Sequence, residues 1–425
     1  MKKFLALLLT AMLCLSVVGG FSALAEGDRT ISILIDTDMS LAGFNAVAAL
    51  AEEKLGIHVD IEYRVGGAEG DNIVKTRLAS GTMTDIVGYN SGALLAALNP
   101  TEYFYDLSNE PLAERLDETY ASSVTVNGEL FGVPISSTQA GAVVYNRAVY
   151  EEYGLEVPKT WDEFIANCRT IKDAGGIAMI GGFGDSWTSQ VLFLGDHYNV
   201  VAQEPNFTKD FEAGIAKYAT TPAATRSFEK FEDLVEFYDP AYLADTYDNA
   251  VDKIAYGDGA HWIILTQALT NIYSLEGKEV VDNLGVFGIP ADEGETGLTV
   301  WMPTSMYVNK NSENLDAVLE LMDFYTTEEA LDAYVSALLP DGPFCIKGYE
   351  MPDDAYRAVA EDMQAYFDAG LTHVAMEFET PVKGANCMQI CVEVGSGQVT
   401  GAEAAAMYDE DCKLQAMQLG LEGWE

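Results

Sequence analysis

The chain has 425 residues, more than one ordinary domain holds, and 49% of them are hydrophobic against 21% charged, so a packed core is within reach and wholesale disorder is excluded. Sixty-seven acidic residues face 23 Lys and Arg, a formal charge of −44. That balance argues against nucleic acid as a partner and against an anionic membrane surface, because no excess of cations exists to displace counterions. Four His leave little material for His-based metal or nucleophile chemistry.

The first segment reads as an export signal, residues 1–25. Lys2 and Lys3 precede an apolar run over 4–18, Gly19 and Gly20 break it, and Ala23-Leu24-Ala25 places small residues where a signal peptidase reads them. The mature chain would begin at Glu26. Cys14 lies inside the apolar run behind Leu13, not after it, and reads as part of the signal core. Cys168, Cys345, Cys387, Cys391 and Cys412 are odd in number and scattered, which is no disulfide framework. Cys387 and Cys391 are one helical turn apart, with only His373 near them in sequence. No metal and no cofactor are assigned.

The first mature stretch alternates strand and helix. Residues 31–35 form an apolar run suited to a buried parallel strand. Leu41, Phe44, Ala48, Ala51 and Leu55 recur at helical spacing up to Gly56. Residues 57–63 alternate apolar and polar, a strand with one wet face. A helix over 70–80 and a strand over 85–88 complete a β-α-β-α-β order, so the class is α/β with a largely parallel sheet. A second such region follows Pro134. Its strands fall at 143–145, 177–180, 260–264 and 286–289, and its helix is opened by Thr160 and Glu163 as a capping box with Trp161, Phe164, Ile165, Cys168 and Ile171 as the buried stripe. A third stretch has a strand at 306–308, a helix stripe at Leu315, Val318, Leu319 and Met322, and a second capping box at 326–329. Residues 351–420 read as helical.

Ligands of open α/β sheets sit beyond the carboxyl ends of the strands. The candidates are therefore Asp36, Thr37 and Asp38; Tyr89 and Asn90; Asp185 and Trp187 in a Gly-rich loop; Gln267; and Trp301, in the loop before the 306–308 strand. Aromatic rings beside short polar side chains suit sugars, whose C–H faces stack and whose hydroxyls bond. Trp161 and Trp262 read as core, whereas Trp187 and Trp301 lie in loops.

The order Asn127-Gly128-Glu129-Leu130-Phe131-Gly132-Val133-Pro134, then Val144-Tyr145-Asn146-Arg147, then Pro158-Lys159-Thr160-Trp161-Asp162-Glu163-Phe164 resembles the extracellular solute-binding proteins of carbohydrate ABC transporters, family 1, akin to maltose-binding protein. Gly257 to Trp262, Val308 to Ser312 with Asp323 to Thr326, and Ser396 to Thr400 with Glu403-Ala404 match later motifs of that family. The resemblance implies a periplasmic-binding-protein-like fold of two lobes, each a sheet flanked by helices, with hinge crossovers near 136–141, 289–292 and 339–343. The lobes would be 26–137 with 292–340, and 138–291 with 341–425. It further implies a ligand in the cleft, hinge closure, an exported periplasmic or cell-surface location, delivery to a membrane ABC permease and a monomeric, non-enzymatic chain. By motif position Tyr89 is a stacking site, Gln139 a polar hinge contact to sugar and Trp187 an aromatic of the second lobe. Gln267 stands where sugar binders of the family usually carry an aromatic, which argues against maltodextrin specificity.

Two further readings stand beside capture of a sugar. The same fold can hold a cationic or peptide-like solute, for which Asp36, Asp38 and Asp185 supply charge. A secreted hydrolase with paired carboxylates is the third, although no nucleophile motif or metal spacing singles out a pair.

Overall fold

Ile31, Ile33, Leu34 and Ile35 are fully buried in β1 (Arg29–Asp36), as their apolar run demands when both faces of a strand are covered. The computed structural model describes residues 29–37, 40–65 and 67–425, so the expected export signal and Asp38 lie outside the described residues. β1 pairs in parallel with β2 (Ile57–Arg64) and β3 (Ile86–Tyr89). β2 is the edge strand, and its alternating sequence leaves one face wet. Helix Ala42–Leu55 covers this sheet with Phe44, Val47 and Ala51 and stops at Gly56, which takes the left-handed conformation that glycine adopts without a Cβ penalty.

Three short strands follow, β4 (Thr125–Val126), β5 (Glu129–Leu130) and β6 (Gly132–Pro134), and then, after a crossing at 135–138, the longer β7 (Gln139–Asn146). β4 and β5 make a hairpin, with Asn127 and Gly128 at positive φ in its turn. The rest of the sheet strands are β8 (Met179–Ile180), β9 (His261–Leu265), β10 (Leu284–Gly288), β11 (Leu298–Trp301), β12 (Ser305–Val308) and β13 (Thr372–Val374). They build two sheets. The first has the order β2-β1-β3-β12-β6, and the second the order β13-β11-β7-β9-β8 with β10 also on β7.

The second sheet is not largely parallel. β7 is antiparallel to β9, β10 and β11. The reason is topological: β7 leaves the crossing, whereas β11 must run back toward it to return the chain to β12 in the first sheet. The lobe boundaries shift accordingly. β11 pairs with Gly141, Ala140 and Gln139, so its residues belong with the second sheet rather than with the first lobe, and the second crossing is 302–304, not 289–292. Phe344 bridges Ser137 and Ile346 bridges Leu116, so 344–346 stay with the first lobe. The third passage therefore falls after Lys347, and the π-helical turn Ala358–Met363 already packs against β10. β13, inside the stretch that reads as helical, is a three-residue strand too short to show a period.

Helix Trp161–Asp173 carries the expected stripe: Trp161, Phe164, Cys168 and Ile171 are buried. Thr160 caps it through the Glu163 N–H, but the Glu163 carboxylate accepts from the Lys159 N–H instead of closing the box on Thr160. At the 326–329 signal the cap is Thr327, which accepts from Ala330. The five described cysteines are free thiols and all are buried. Among the described residues no helix is long and apolar enough to cross a membrane.

Candidate functional site

The strand ends meet where the chain crosses between sheets. Tyr89 at the end of β3 pairs with Ser305 at the start of β12, and Trp301 at the end of β11 pairs with Gln139 at the start of β7. Thr266, just past β9, exchanges hydrogen bonds with Ala140: its Oγ1 accepts from the Ala140 N–H at 3.0 Å and its own N–H donates to the Ala140 carbonyl at 3.0 Å. Gln267, half-buried, follows as the first residue of helix Gln267–Glu276. These contacts bring Gln139, Trp301 and Gln267 to one place.

The centre of that place is a residue absent from the sequence-based candidates. Asp341 accepts from the Gln139 amide at 3.0 Å and from the Ser137 hydroxyl at 3.0 Å. Burial pushes its carboxyl above the usual range, against the pull of those two hydrogen bonds. Its charge is felt by the phenols of Tyr247, Tyr334 and Tyr356, all three of which burial raises first. The signal in the sequence is Pro340-Asp341-Gly342-Pro343, a charged residue held between breakers. Gly342 is required there because a Cβ would meet the Thr138 carbonyl at 2.0 Å.

Tyr247 joins this centre to the Gly-rich loop. Its N–H, at the start of helix Tyr247–Tyr256, donates to the Asp185 carboxylate at 2.7 Å. Its ring lies 5.3 Å from that of half-buried Trp187 and 5.3 Å from that of Trp262, which is fully buried as core. Asn271 donates to its hydroxyl at 2.9 Å. The N-cap of that helix is Thr246, and Asp185 satisfies the free N–H of its first residue. Trp187 keeps one side on Tyr247 and part of its surface open.

Trp301 is half-buried and held in place: its indole N–H donates to Glu377 at 2.7 Å, and its ring covers Gly141, where a Cβ would approach it to 2.7 Å. Only glycine lets the ring lie that close to the strand.

The first-lobe candidates are placed differently. Tyr89 is 1% exposed, so its ring face is not open for stacking. It is covered by Arg64, whose guanidinium lies 5.6 Å from the ring centroid, and burial together with the Asp71 carboxylate pushes its phenol up. Arg64 itself, the last residue of β2, is buried and donates to Asp36 at 3.1 Å, to the Val65 carbonyl at 3.2 Å and to the Gly88 carbonyl at 3.3 Å. Asp36 is therefore engaged with Arg64 beneath the loop. Thr37 is exposed and Asn90 is exposed, with the Asn90 carbonyl accepting from Tyr307 at 3.1 Å. The site that results has two half-open indoles, two amides and a carboxylate. It offers hydrogen-bond acceptors, donors and ring faces, the equipment for holding a polyhydroxylated solute.

Comparison with known proteins agrees with this architecture. Residues 39–332 match the family model described as bacterial extracellular solute-binding protein. The chain belongs to that family, whose members are substrate-binding proteins of transporters rather than enzymes. It is 30% identical over 293 residues to the multiple sugar-binding protein of Streptococcus mutans, an alignment covering 66% of this chain and 67% of the relative. With the melibiose/raffinose/stachyose-binding protein MelE of Bacillus subtilis it shares 28% identity over 172 residues, 40% of this chain and 39% of that one. Among solved structures, apo RafE from Streptococcus pneumoniae superposes with a TM-score of 0.74 at 20% identity, covering 90% of this chain and 98% of RafE. The open form of MsmE from Bacillus subtilis gives 0.70 at 16% identity, over 92% and 99%. These structures share the two-lobe fold.

Proposed function

We propose that the chain captures a sugar or small oligosaccharide in the cleft between its lobes and delivers it, without converting it, to a membrane ABC permease. What supports this reading is the pairing of Trp301 with Gln139, the Gln139 amide on the Asp341 carboxylate at 3.0 Å, and Trp187 half-buried against Tyr247. Ring faces would cover the sugar's C–H surfaces, and the amides and carboxylate would pair its hydroxyls as water is expelled. The names of the relatives from Streptococcus mutans and Bacillus subtilis support sugars as the class and raffinose-type galactosides as the first to try. Thr37, Asn90 and Asp185 are proposed as rim residues and Asp36 and Tyr89 as support behind the rim, while Asp38, outside the described residues, is proposed as a ligand contact from its sequence position alone. The protein works as an exported monomer released after Ala25, and N-terminal sequencing of secreted protein checks that cleavage.

A cationic solute is the second reading, favoured by the Asp341 carboxylate at the centre of the site. Calorimetry against raffinose-type, xylo-, chito- and malto-oligosaccharides and against polyamines tests both. Heat from one oligosaccharide series and none from polyamines supports the sugar reading; the reverse overturns it.

A further inference from the structure

Away from the cleft, three metal-ligand side chains converge in the second lobe. His197 opens the helix His197–Gln203, His373 is the middle residue of β13, and Glu379 ends the helical turn Met376–Glu379. Nε2 of His197 lies 3.1 Å from Oε2 of Glu379, and Nε2 of His373 lies 3.1 Å from Oε1 of the same carboxylate. Ligand atoms of all three are within 4.8 Å of one another. We propose that His197, His373 and Glu379 form a binding site for a divalent transition-metal ion of the Zn2+ type.

Geometry supports this first. Two ligands held about 2.0–2.1 Å from one tetrahedral ion are roughly 3.3 Å apart; each imidazole already stands 3.1 Å from one oxygen of Glu379 and all three ligand atoms lie within 4.8 Å, so the side chains have to draw inward to share one ion. The donor set supports it next. Two imidazoles and one carboxylate suit Zn2+, Co2+ or Ni2+, whereas Mg2+ and Ca2+ want a shell of oxygens. The supporting contacts fit as well: the Thr208 hydroxyl donates to Oε2 of Glu379 at 2.8 Å and fixes the carboxylate. A cavity of about 810 Å³, lined in part by Thr208, Glu212 and Glu379, opens beside the cluster and gives a path for the ion and a water as fourth ligand.

Hydrogen bonding alone explains His197 poorly. The buried His261 has both nitrogens satisfied, by the Ala178 carbonyl at 2.8 Å and the Tyr150 hydroxyl at 2.7 Å. His197 is also buried, yet its Nδ1 has no hydrogen-bond partner among the described residues, while its Nε2 faces the Glu379 carboxylate that His373 also contacts and lies 3.4 Å from the Thr208 hydroxyl. A packing histidine is normally paired at both ends. Paired on one side only, at the carboxylate it shares with His373, His197 has its Nε2 placed to serve as a ligand.

The location gives the ion a consequence. Thr372, next to His373, has its hydroxyl 3.1 Å from that of Thr119 in the first lobe. Phe378, next to Glu379, lies against Gly92 of the first lobe so closely that a Cβ there would be 2.0 Å from the Phe378 carbonyl oxygen. A bound ion would brace the strip by which the second lobe touches the first.

The test uses the mature chain without an affinity tag, stripped with a chelator and dialysed against ZnCl2 and, separately, CoCl2. One equivalent of metal per chain is expected, with visible absorption typical of four-coordinate Co2+. His373→Gln should weaken binding at least about tenfold, and His373→Gln with Glu379→Gln should abolish it. His373 carries the test because it is partly exposed, and circular dichroism confirms that the variants fold. His58→Gln is the control: His58 lies 3.3 Å from Glu52 and 3.3 Å from Asp60 on the surface, and its loss should change nothing. No bound metal, binding unchanged in His373→Gln, or equal loss in His58→Gln would overturn the site.

Discussion

The Gln139 side-chain amide donates to the Asp341 carboxylate at 3.0 Å, tying the start of β7, where the chain enters the second lobe, to the breaker-flanked turn at 340–343. The contact joins the first crossing to a first-lobe turn packed against it, and it places a carboxyl where a ligand's hydroxyls would arrive. Because burial raises the folded carboxyl pKa, the charged form is the costly one. The stability tied to this group is fully present below the unfolded pKa and is lost as pH rises through the folded one. Asp341→Asn should therefore lose no more than about 1 kcal/mol of stability at neutral pH. Its sugar affinity should fall about ten- to a hundredfold, the value of a hydrogen bond to a charged group. Denaturant melts and calorimetry on the same preparation separate the two effects.

His261 gives a pH prediction. The Ala178 carbonyl can only accept, so Nδ1 carries the proton and Nε2 accepts from the Tyr150 hydroxyl. A second proton has no place, and burial lowers the pKa from 6.5 to about 4. For a base with a depressed folded pKa, the stability is present above the unfolded pKa and is lost as pH falls toward the folded one. The window is thus from pH 6.5 down to about 4, and the loss across it is about 3 kcal/mol. The His261 ring protons, followed by NMR, should not titrate above pH 5. Titration near 6.5 in the folded protein would contradict the buried tautomer.

Much of the first lobe could be read from residues alone. The Ile-rich run of β1, the alternation of β2 and the Gly56 stop carry their structure locally, and all three elements lie as the periods suggest. The crossings could not be read that way. β11 belongs to the second sheet because of its pairing with Gln139 and Gly141, far away in sequence, and nothing within residues 298–301 announces it. The site divides along the same line. Trp187 and Trp301 read as loop aromatics; Trp187 lies in the short helix Ser186–Gln190 and Trp301 ends β11, and both are half-open. Tyr89 looks equally available by its position after a strand, but Arg64 from the neighbouring strand covers it. Asp341 and Tyr247 were missed because their roles come from partners about 200 and about 60 residues away.

The buried ion pair of the second lobe should dominate its stability to single substitution. Lys230 donates to Asp196 at 2.6 Å and to the Pro290 carbonyl at 2.8 Å, and Ser227 and Asn199 complete the shell around Asp196 at 2.8 and 2.7 Å. Lys230→Met strands a buried carboxylate and should cost about 3–5 kcal/mol in a urea melt. A loss under 1 kcal/mol, as is common for a surface pair, would show that water reaches the site.

Lobe closure is the expected motion, because the two sheets are separate and the chain passes between them at 135–138, 302–304 and after Lys347. Small-angle scattering should show a smaller radius of gyration at saturating sugar than without it. An unchanged radius with binding confirmed would place the ligand outside the cleft.

The central claim is that a sugar binds against Trp187 at the crossings. The measurement that reaches it most directly is a calorimetric titration of the oligosaccharide that binds, run on the unmodified chain, Trp187→Ala and Trp161→Ala. Trp187 is half-open beside Tyr247, whereas Trp161 is 1% exposed with its indole N–H on Asp233 at 2.9 Å. Trp187→Ala should weaken binding by about 2–4 kcal/mol, roughly thirty- to a thousandfold, with stability nearly retained. Trp161→Ala should lose about 3–5 kcal/mol of stability while its folded fraction binds as before. Normal affinity in Trp187→Ala, with the loss appearing in Trp161→Ala instead, would contradict the account.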